Sequence, residues 1–306
     1  MKGPEKERRA QELEALLLEF HQDAIPLTGI VPVENMLSFV AQLIDSLHRV
    51  EYVYKIRKRP ISVARTDPRS ELFDPIKAAV FFSNNQKDEA CWLVFLATHC
   101  GRNIRTKWLL ARELYGAYER DPWTWVRVSV DPAAYGEWLE ENRETFYGKF
   151  GNHRKYESLK PTPSGTAAAV SSYIDWIKRY GSHEQLIAHA RAQTKGDERK
   201  AFRLLYDQMG KVIRFGRTGR FDYLMMLAKV GLASIDADST YMNDATGPKK
   251  GARLLFDGQI DSKTGARLLE AQVAELEKHL GVGMQVMEDA ICNWQKSPNR
   301  YMPFRG

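Results

Sequence analysis

The chain has 306 residues, 43% of them hydrophobic and 27% charged, a balance that supports a large packed core and excludes wholesale disorder. Its formal charge of +6 is compatible with a polyanionic partner, but many basic proteins bind no nucleic acid and the excess alone decides nothing. Three scattered cysteines, Cys91, Cys100 and Cys292, make no disulfide framework, fall short of the four thiolates of an iron–sulfur cluster, and fit a reducing compartment.

The N-terminus, MKGPEKERRAQELEALLLEF, is charged and then amphipathic. Its apolar run is far too short for a signal segment or a membrane span, so a cytoplasmic protein without a membrane partner is expected. Met36, Phe39, Val40, Leu43, Ile44, Leu47 and Val50 then recur every three or four residues and predict a long amphipathic helix. The same period returns over residues 90–98, 107–115, 167–177, 201–213 and 268–280. Residues 55–74, broken by Pro60 and Pro68, and 149–164, with Pro161 and Pro163, read as loops. Val126, Val128 and Val130 alternate and allow one short strand at most.

Boundary signals agree with a helical chain. Ser182 precedes Gln185 with capping-box spacing, and Pro248 and Asp261 stand where helices can begin. Gly181 and Gly281 follow helical stretches as C-caps do. Seven histidines include no His-x-x-x-His pair, so no metal site is read, and no cofactor is expected. The expected architecture is an all-α, two-lobed monomer: an N-terminal helical extension over residues 1–34, a helical lobe over 35–150 and a second over 151–306 with the hairpin at 214–220.

The most informative stretch is residues 201–242. A helix ending near Val212 meets Arg214-Phe215-Gly216-Arg217-Thr218-Gly219-Arg220, and a second helix is expected to resume at Phe221. Two glycines three apart permit a tight hairpin with positive φ angles and bare backbone amides at a helix start, where unpaired N–H groups and the helix dipole favour a phosphate oxygen. Lys211, Arg214, Arg217 and Arg220 add charge around the turn. The plain alternative is an ordinary helical corner with solvated arginines.

Asp238 follows Gly219 by 19 residues. This resembles the helix–hairpin–helix DNA glycosylase superfamily, in which a Gly-x-Gly hairpin is followed about a helix later by the catalytic aspartate at the start of the next helix. This chain departs in its Gly-Arg-Thr-Gly spacing and in lacking a preceding Leu-Pro. The resemblance implies that a carboxylate stabilises an oxocarbenium-like sugar and activates water. Asp236 is the alternative acid, and a plain N-cap is the alternative role for Asp238. It further implies the hairpin and Asp238 on one wall of a cleft. Phe221 stands where lyase-competent members carry a Schiff-base lysine, which implies a monofunctional enzyme.

Longer motifs are more specific. FGNHRKYESL (150–159), FGRTGRFDYLMMLAKVGL (215–232), ATGPKKGARLLFDG (245–258) and VGMQVMEDAICNWQKS (282–297) resemble the α-glutamyl/putrescinyl thymine pyrophosphorylase family, clade 3, as do LFDPIKAAV and DEACWLVFLATHCGR. The resemblance implies a glycosylase-derived helical fold acting on hypermodified pyrimidines in double-stranded phage DNA. Two activities are open: hydrolysis of the N-glycosidic bond, as in bacterial anti-phage relatives, or replacement of a pyrophosphoryl group on 5-hydroxymethyluracil by an amine. A catalytically silent DNA-binding module is the third reading.

Asn152, His153, Arg154 and Tyr156 place base-reading groups on one loop, and Asp222, Glu288 and Asn293 are further candidates for a base pocket. Residues Glu288, Asp289, Asn293, Gln295 and Lys296 span more than one helix face, so only some can share a pocket. Gly247-Pro248-Lys249-Lys250 offers a second glycine-led helix start with two lysines for a backbone phosphate. Trp123, Trp125 and Trp138 can stack a base or fill the core.

Overall fold

Apolar periodicity becomes helix along most of the chain. The computed structural model describes residues 3–116, 118 and 120–304, and these form fourteen α-helices and six short 3₁₀ turns with no β-strand. α1 (Gly3–Asp23) and α2 (Val33–Arg57) open the chain. α3 (Pro75–Phe82) starts on a proline, with Asp74 accepting from the amides of Ile76 and Lys77 at 3.1 Å each. α4 (Lys87–Cys100) is apolar on every face and buried at every position from Ala90 to Ala97, as an all-round apolar helix must be. α5 (Leu109–Leu114), α6 (Trp125–Val130), α7 (Pro132–Asn142), α8 (Thr166–Lys178), α9 (His183–Gln193), α10 (Glu198–Gln208) and α11 (Arg217–Val230) follow. α12 (Gly247–Asp257), α13 (Ala266–Leu280) and α14 (Met284–Trp294) complete the set.

Several start and stop signals act as read. The Ser182 hydroxyl accepts from Gln185 N at 3.1 Å, Pro248 lies in the first turn of α12, and Gly181 and Gly281 adopt φ of 93° and 62°. Three expectations are corrected. The alternating valines are helical: Thr124 caps α6 by accepting from Arg127 N, so Val128 is buried while Val126 and Val130 are exposed, and a local cap overrides β-propensity. Asp261 starts no helix, because α13 begins at Ala266 behind Gly265. The helix after the hairpin begins at Arg217, not Phe221, so Gly219 lies inside it.

The chain divides into two units. The first comprises residues up to Val53 and those from Ala237 onward. In it α1 packs on α13, with Phe20 and His279 rings 5.5 Å apart, and α12 crosses α14 where a Cβ on Gly251 would strike the Ile291 backbone. Trp294 donates to the carbonyls of Asn35 (3.2 Å) and Pro298 (3.0 Å), fixing the C-terminal segment against α2.

The second unit comprises Tyr54–Asp236 and contains α3 to α11. The residue-150 boundary read from the sequence falls inside it. Its core is aromatic and centred on α4: Phe95 stacks on Tyr173 at 3.9 Å and on Phe215 at 4.8 Å, and Trp92 donates to the Trp123 carbonyl at 2.8 Å. Trp123 and Trp125 are both buried here, which makes them core residues, and Trp138 is half-buried against Trp123. No described helix is long and apolar enough to cross a membrane.

Candidate functional site

The hairpin is built differently from the expected two-glycine turn. α10 ends at Gln208, a 3₁₀ turn runs over Met209–Lys211, and Gly216 is the N-cap of α11 with φ of −68°. Neither Gly216 nor Gly219 has positive φ; the left-handed residue is Arg214, at 67°. That conformation is costly for a non-glycine residue, and Arg214 is held in it by two contacts. Its Nε donates to Glu157 Oε2 and its Nη2 to the Tyr156 carbonyl, both at 2.7 Å. Gly216 leaves open space, since a Cβ there would meet nothing within 4 Å. A helix start with no side-chain cap and an open approach can accept an anion.

The flanking arginines do not form a ring of solvated charge. Arg217 is buried with its guanidinium 5.4 Å from the Phe221 ring centre. Arg220 lies 4.1 Å over Tyr206 and donates to that residue's carbonyl at 3.2 Å. Their charge is spent on orienting the turn.

The structure brings the 152–156 loop onto this helix start. Arg154 is buried, its guanidinium donates to Asp222 at 3.1 Å, and a Cβ on Gly219 would sit 3.2 Å from its Nη1. Arg154 and Asp222 are thus brought together, with Arg154 locking loop to helix. Asn152, His153 and Tyr156 are exposed on the same loop, Tyr156 at 78%.

The other candidates divide between the units. Asp236 belongs to the second and pairs with Arg199 at 3.1 Å. Asp238, Lys249, Lys250, Glu288 and Asn293 belong to the first. Asp238 does not begin a helix: no helix forms between Gly231 and Tyr241, because the next helical turn waits until Met242–Asp244. The helix start that the resemblance implies for it is therefore absent. Instead the Tyr241 hydroxyl donates to Asp238 Oδ1 at 2.6 Å, and Tyr241 itself has φ of 51°. A bulky residue in the left-handed region costs roughly 1–3 kcal/mol and persists where surrounding structure holds it. Lys249 donates to the Asn243 carbonyl at 2.8 Å, and Lys250 is exposed. Glu288 is buried on α14, and Asn293 donates back to the Asp289 carbonyl at 2.9 Å while accepting from Lys296 at 3.0 Å.

Sequence reasoning missed the groups that support the loops. Glu113 is fully buried and accepts from the amides of Tyr147 (2.9 Å) and Gly148 (2.8 Å). His99 is buried between Phe95 and Phe215; burial, helped by the Arg154 and Arg214 charges, pushes its pKa down to about 3. Thr166 spends its hydroxyl proton on the Ser158 carbonyl, so the neutral ring donates from Nε2 to Thr166 Oγ1 at 2.9 Å. A polar chain also crosses the core and ends on a carboxylate: Tyr223 to Tyr173 (2.8 Å), Tyr173 to His183 Nε2 (2.6 Å), and His183 Nδ1 to Asp88 (2.6 Å). Lone His and Glu residues inside apolar helices give no sequence signal for such partners. Among the described residues no group of three His, Cys, Asp or Glu side chains is placed to hold a metal.

Fold and site together define an all-helical protein with an open, glycine-capped helix start buttressed by a basic loop. Over residues 34–306 the chain matches the family described as alpha-glutamyl/putrescinyl thymine pyrophosphorylase clade 3, and it belongs to that family. Comparison with curated proteins and with solved structures finds no match.

Proposed function

We infer that the protein is a DNA N-glycosylase, acting in the cytoplasm on a hypermodified pyrimidine in double-stranded phage DNA and leaving an abasic site. The observation that carries this reading is Asp238, whose carboxylate is fixed by the Tyr241 phenol at 2.6 Å beside a left-handed backbone. In the reaction the C1′–N1 bond breaks with its electron pair passing to the base. The carboxylate stabilises the resulting oxocarbenium sugar, and water adds to C1′ as its proton passes to Asp238. Tyr241 orients one oxygen of that carboxylate. Phe221 is buried at 1% exposure and packs on Phe202, so no amine stands at that position for Schiff-base chemistry. The open amides at Gly216 support backbone gripping without sequence readout.

The family's description favours a second reading, a transferase that displaces pyrophosphate from a thymine-type base with an amine. Lys249 and Lys250 at the start of α12 are its candidate pyrophosphate contacts. One experiment separates the two. The protein is incubated with DNA from phages carrying different modified bases, and the products are analysed by mass spectrometry. Free modified base with abasic DNA is expected; an altered base still attached to intact DNA supports the transferase instead.

A further inference from the structure

Arg214, Arg217 and Arg220 are engaged within the protein, so the hairpin offers a polyanion its backbone more than its charge. Five exposed cations lie on two other segments; the Lys107 ammonium donates to the Ile104 carbonyl at 2.7 Å and the Lys155 ammonium is 5.1 Å from the Tyr156 ring centre. Residues 101–107, Gly-Arg-Asn-Ile-Arg-Thr-Lys, form a tight turn in which Asn103 and Lys107 exchange both backbone hydrogen bonds at 3.0 Å. Asn103 Oδ1 also accepts from the amides of Arg105 (2.9 Å) and Thr106 (3.0 Å). Gly101, at φ of 63°, closes the turn.

Residues 147–156 lie directly against this turn. Asn103 Nδ2 donates to the Phe150 carbonyl at 2.9 Å, Lys149 N donates to Thr106 Oγ1 at 3.2 Å, and Gly151 N donates to the Cys100 carbonyl at 2.8 Å. Gly151 approaches Gly101 so closely that a Cβ on it would sit 2.9 Å from the Gly101 carbonyl carbon. Glu113 holds the far end through the Tyr147 and Gly148 amides.

The surface so built exposes Arg102, Arg105, Lys107, Lys149 and Lys155, and neither segment contains an acidic residue. Among the described residues none of these five cations has a carboxylate partner, and the nearest acid in sequence, Glu157, is taken by Arg214. Interleaved with them are Ile104, Tyr147 and Tyr156, which are 63%, 74% and 78% exposed. Crowded like charges repel one another and raise the free energy of the free protein, an effect that a polyanion reverses. Exposed rings and a branched aliphatic tip beside the cations suit the sugars and base faces of a nucleic acid.

We propose that residues 102–107 and 147–156 form one nucleic-acid-binding surface that supplies most of the electrostatic attraction for DNA, with the five cations on backbone phosphates and Ile104, Tyr147 and Tyr156 on sugars and bases. This rests on the reading of the protein as DNA-acting, and deepens it by assigning the charge contact to these loops.

The test is fluorescence anisotropy with an unmodified duplex over a range of salt. Two doubly reversed variants, Arg102→Glu with Arg105→Glu and Lys149→Glu with Lys155→Glu, are compared with the parent protein. Each pair is expected to weaken binding on the order of tenfold or more and to make the slope of log K against log salt shallower by about two. Ile104→Ala and Tyr156→Ala are expected to weaken binding with the slope unchanged, because they remove no charge. All these side chains are exposed, so unchanged melting temperatures verify that the variants fold. If the parent binds duplex and both reversed variants bind with its affinity and slope, the assignment is overturned while the DNA-acting reading stands. If the parent binds no DNA, that underlying reading fails. Loss of binding to phosphatidylserine vesicles in the reversed variants, with DNA affinity intact, overturns the proposal in favour of a membrane surface.

Discussion

Asp238 and Asp236 are two residues apart, yet their surroundings separate them. Asp236 is 41% exposed and paired with Arg199, an ordinary surface contact worth less than about 1 kcal/mol. Asp238 is oriented by a phenol whose own backbone is held in an unfavourable region. Asp238→Asn keeps the side chain's size but removes its charge, so base release from modified DNA is expected to fall by about 10²–10³-fold. DNA affinity should hold or improve. Tyr241→Phe removes the phenol's hydrogen bond to the carboxylate and is expected to cost about ten- to a hundredfold, as loss of one charge-assisted hydrogen bond does. Asp236→Asn should leave the rate near that of the parent. Single-turnover assays with quantified free base measure all three, and full activity in Asp238→Asn would remove this residue from the chemistry.

At the scale of elements, the ion pair between Arg154 and Asp222 joins the 152–156 loop to α11. Arg154 is buried but Asp222 is 46% exposed, so solvent screens the pair and its loss is milder than that of a fully buried one. Arg154→Ala is expected to lower stability to urea by about 1–2 kcal/mol, through lost packing over Gly101 and Gly219 as well as lost charge. Arg154→Lys should not restore it, because a point charge cannot reproduce the planar fork. Equal stability of Arg154→Ala and the parent would show that the loop is held by other contacts. Much of this level was legible in the chain. Repeating apolar positions located α2, α4, α8 and α13, and Ser182, Pro248 and Gly281 marked real boundaries. The errors came where a short-range signal competed with another. Thr124 turned three alternating valines into a helix, and Gly216 acted as an N-cap rather than as a left-handed turn residue. The Arg154–Asp222 pair spans 68 positions, and no local pattern encodes such a distance. Asp238 stands out through the resemblance to the glycosylase pattern, whereas its Tyr241 partner depends on a backbone angle that composition does not report.

For the whole molecule, buried histidines set how stability responds to acid. His99 is fully enclosed, and protonating it would place a cation among aromatic rings close to Arg154 and Arg214, which is why its pKa falls from 6.5 to about 3. His183 is lowered as well, by burial, although Asp88 opposes the shift. The sign follows from proton counts. Between pH 6.5 and about 3 the unfolded chain binds a proton at His99 that the folded protein refuses, so stability drops as pH falls. Each such histidine contributes about 1.4 kcal/mol per pH unit inside its window. Asp88 acts lower on the scale. Burial pushes its carboxyl up, but hydrogen bonds from His183 and that residue's charge hold it below 3.8, so its contribution is present above 3.8 and fades as pH falls beneath it. Urea unfolding at pH 7, 6, 5 and 4 is therefore expected to show stability declining steadily from about pH 6.5. His99→Gln supplies a donor without a titratable ring. It should be less stable than the parent at pH 7, where stacking on Phe95 and Phe215 is lost, and should show a slope shallower by about 1.4 kcal/mol per unit between pH 6 and 4. Identical slopes in the two proteins would mean that His99 accepts its proton within the folded core.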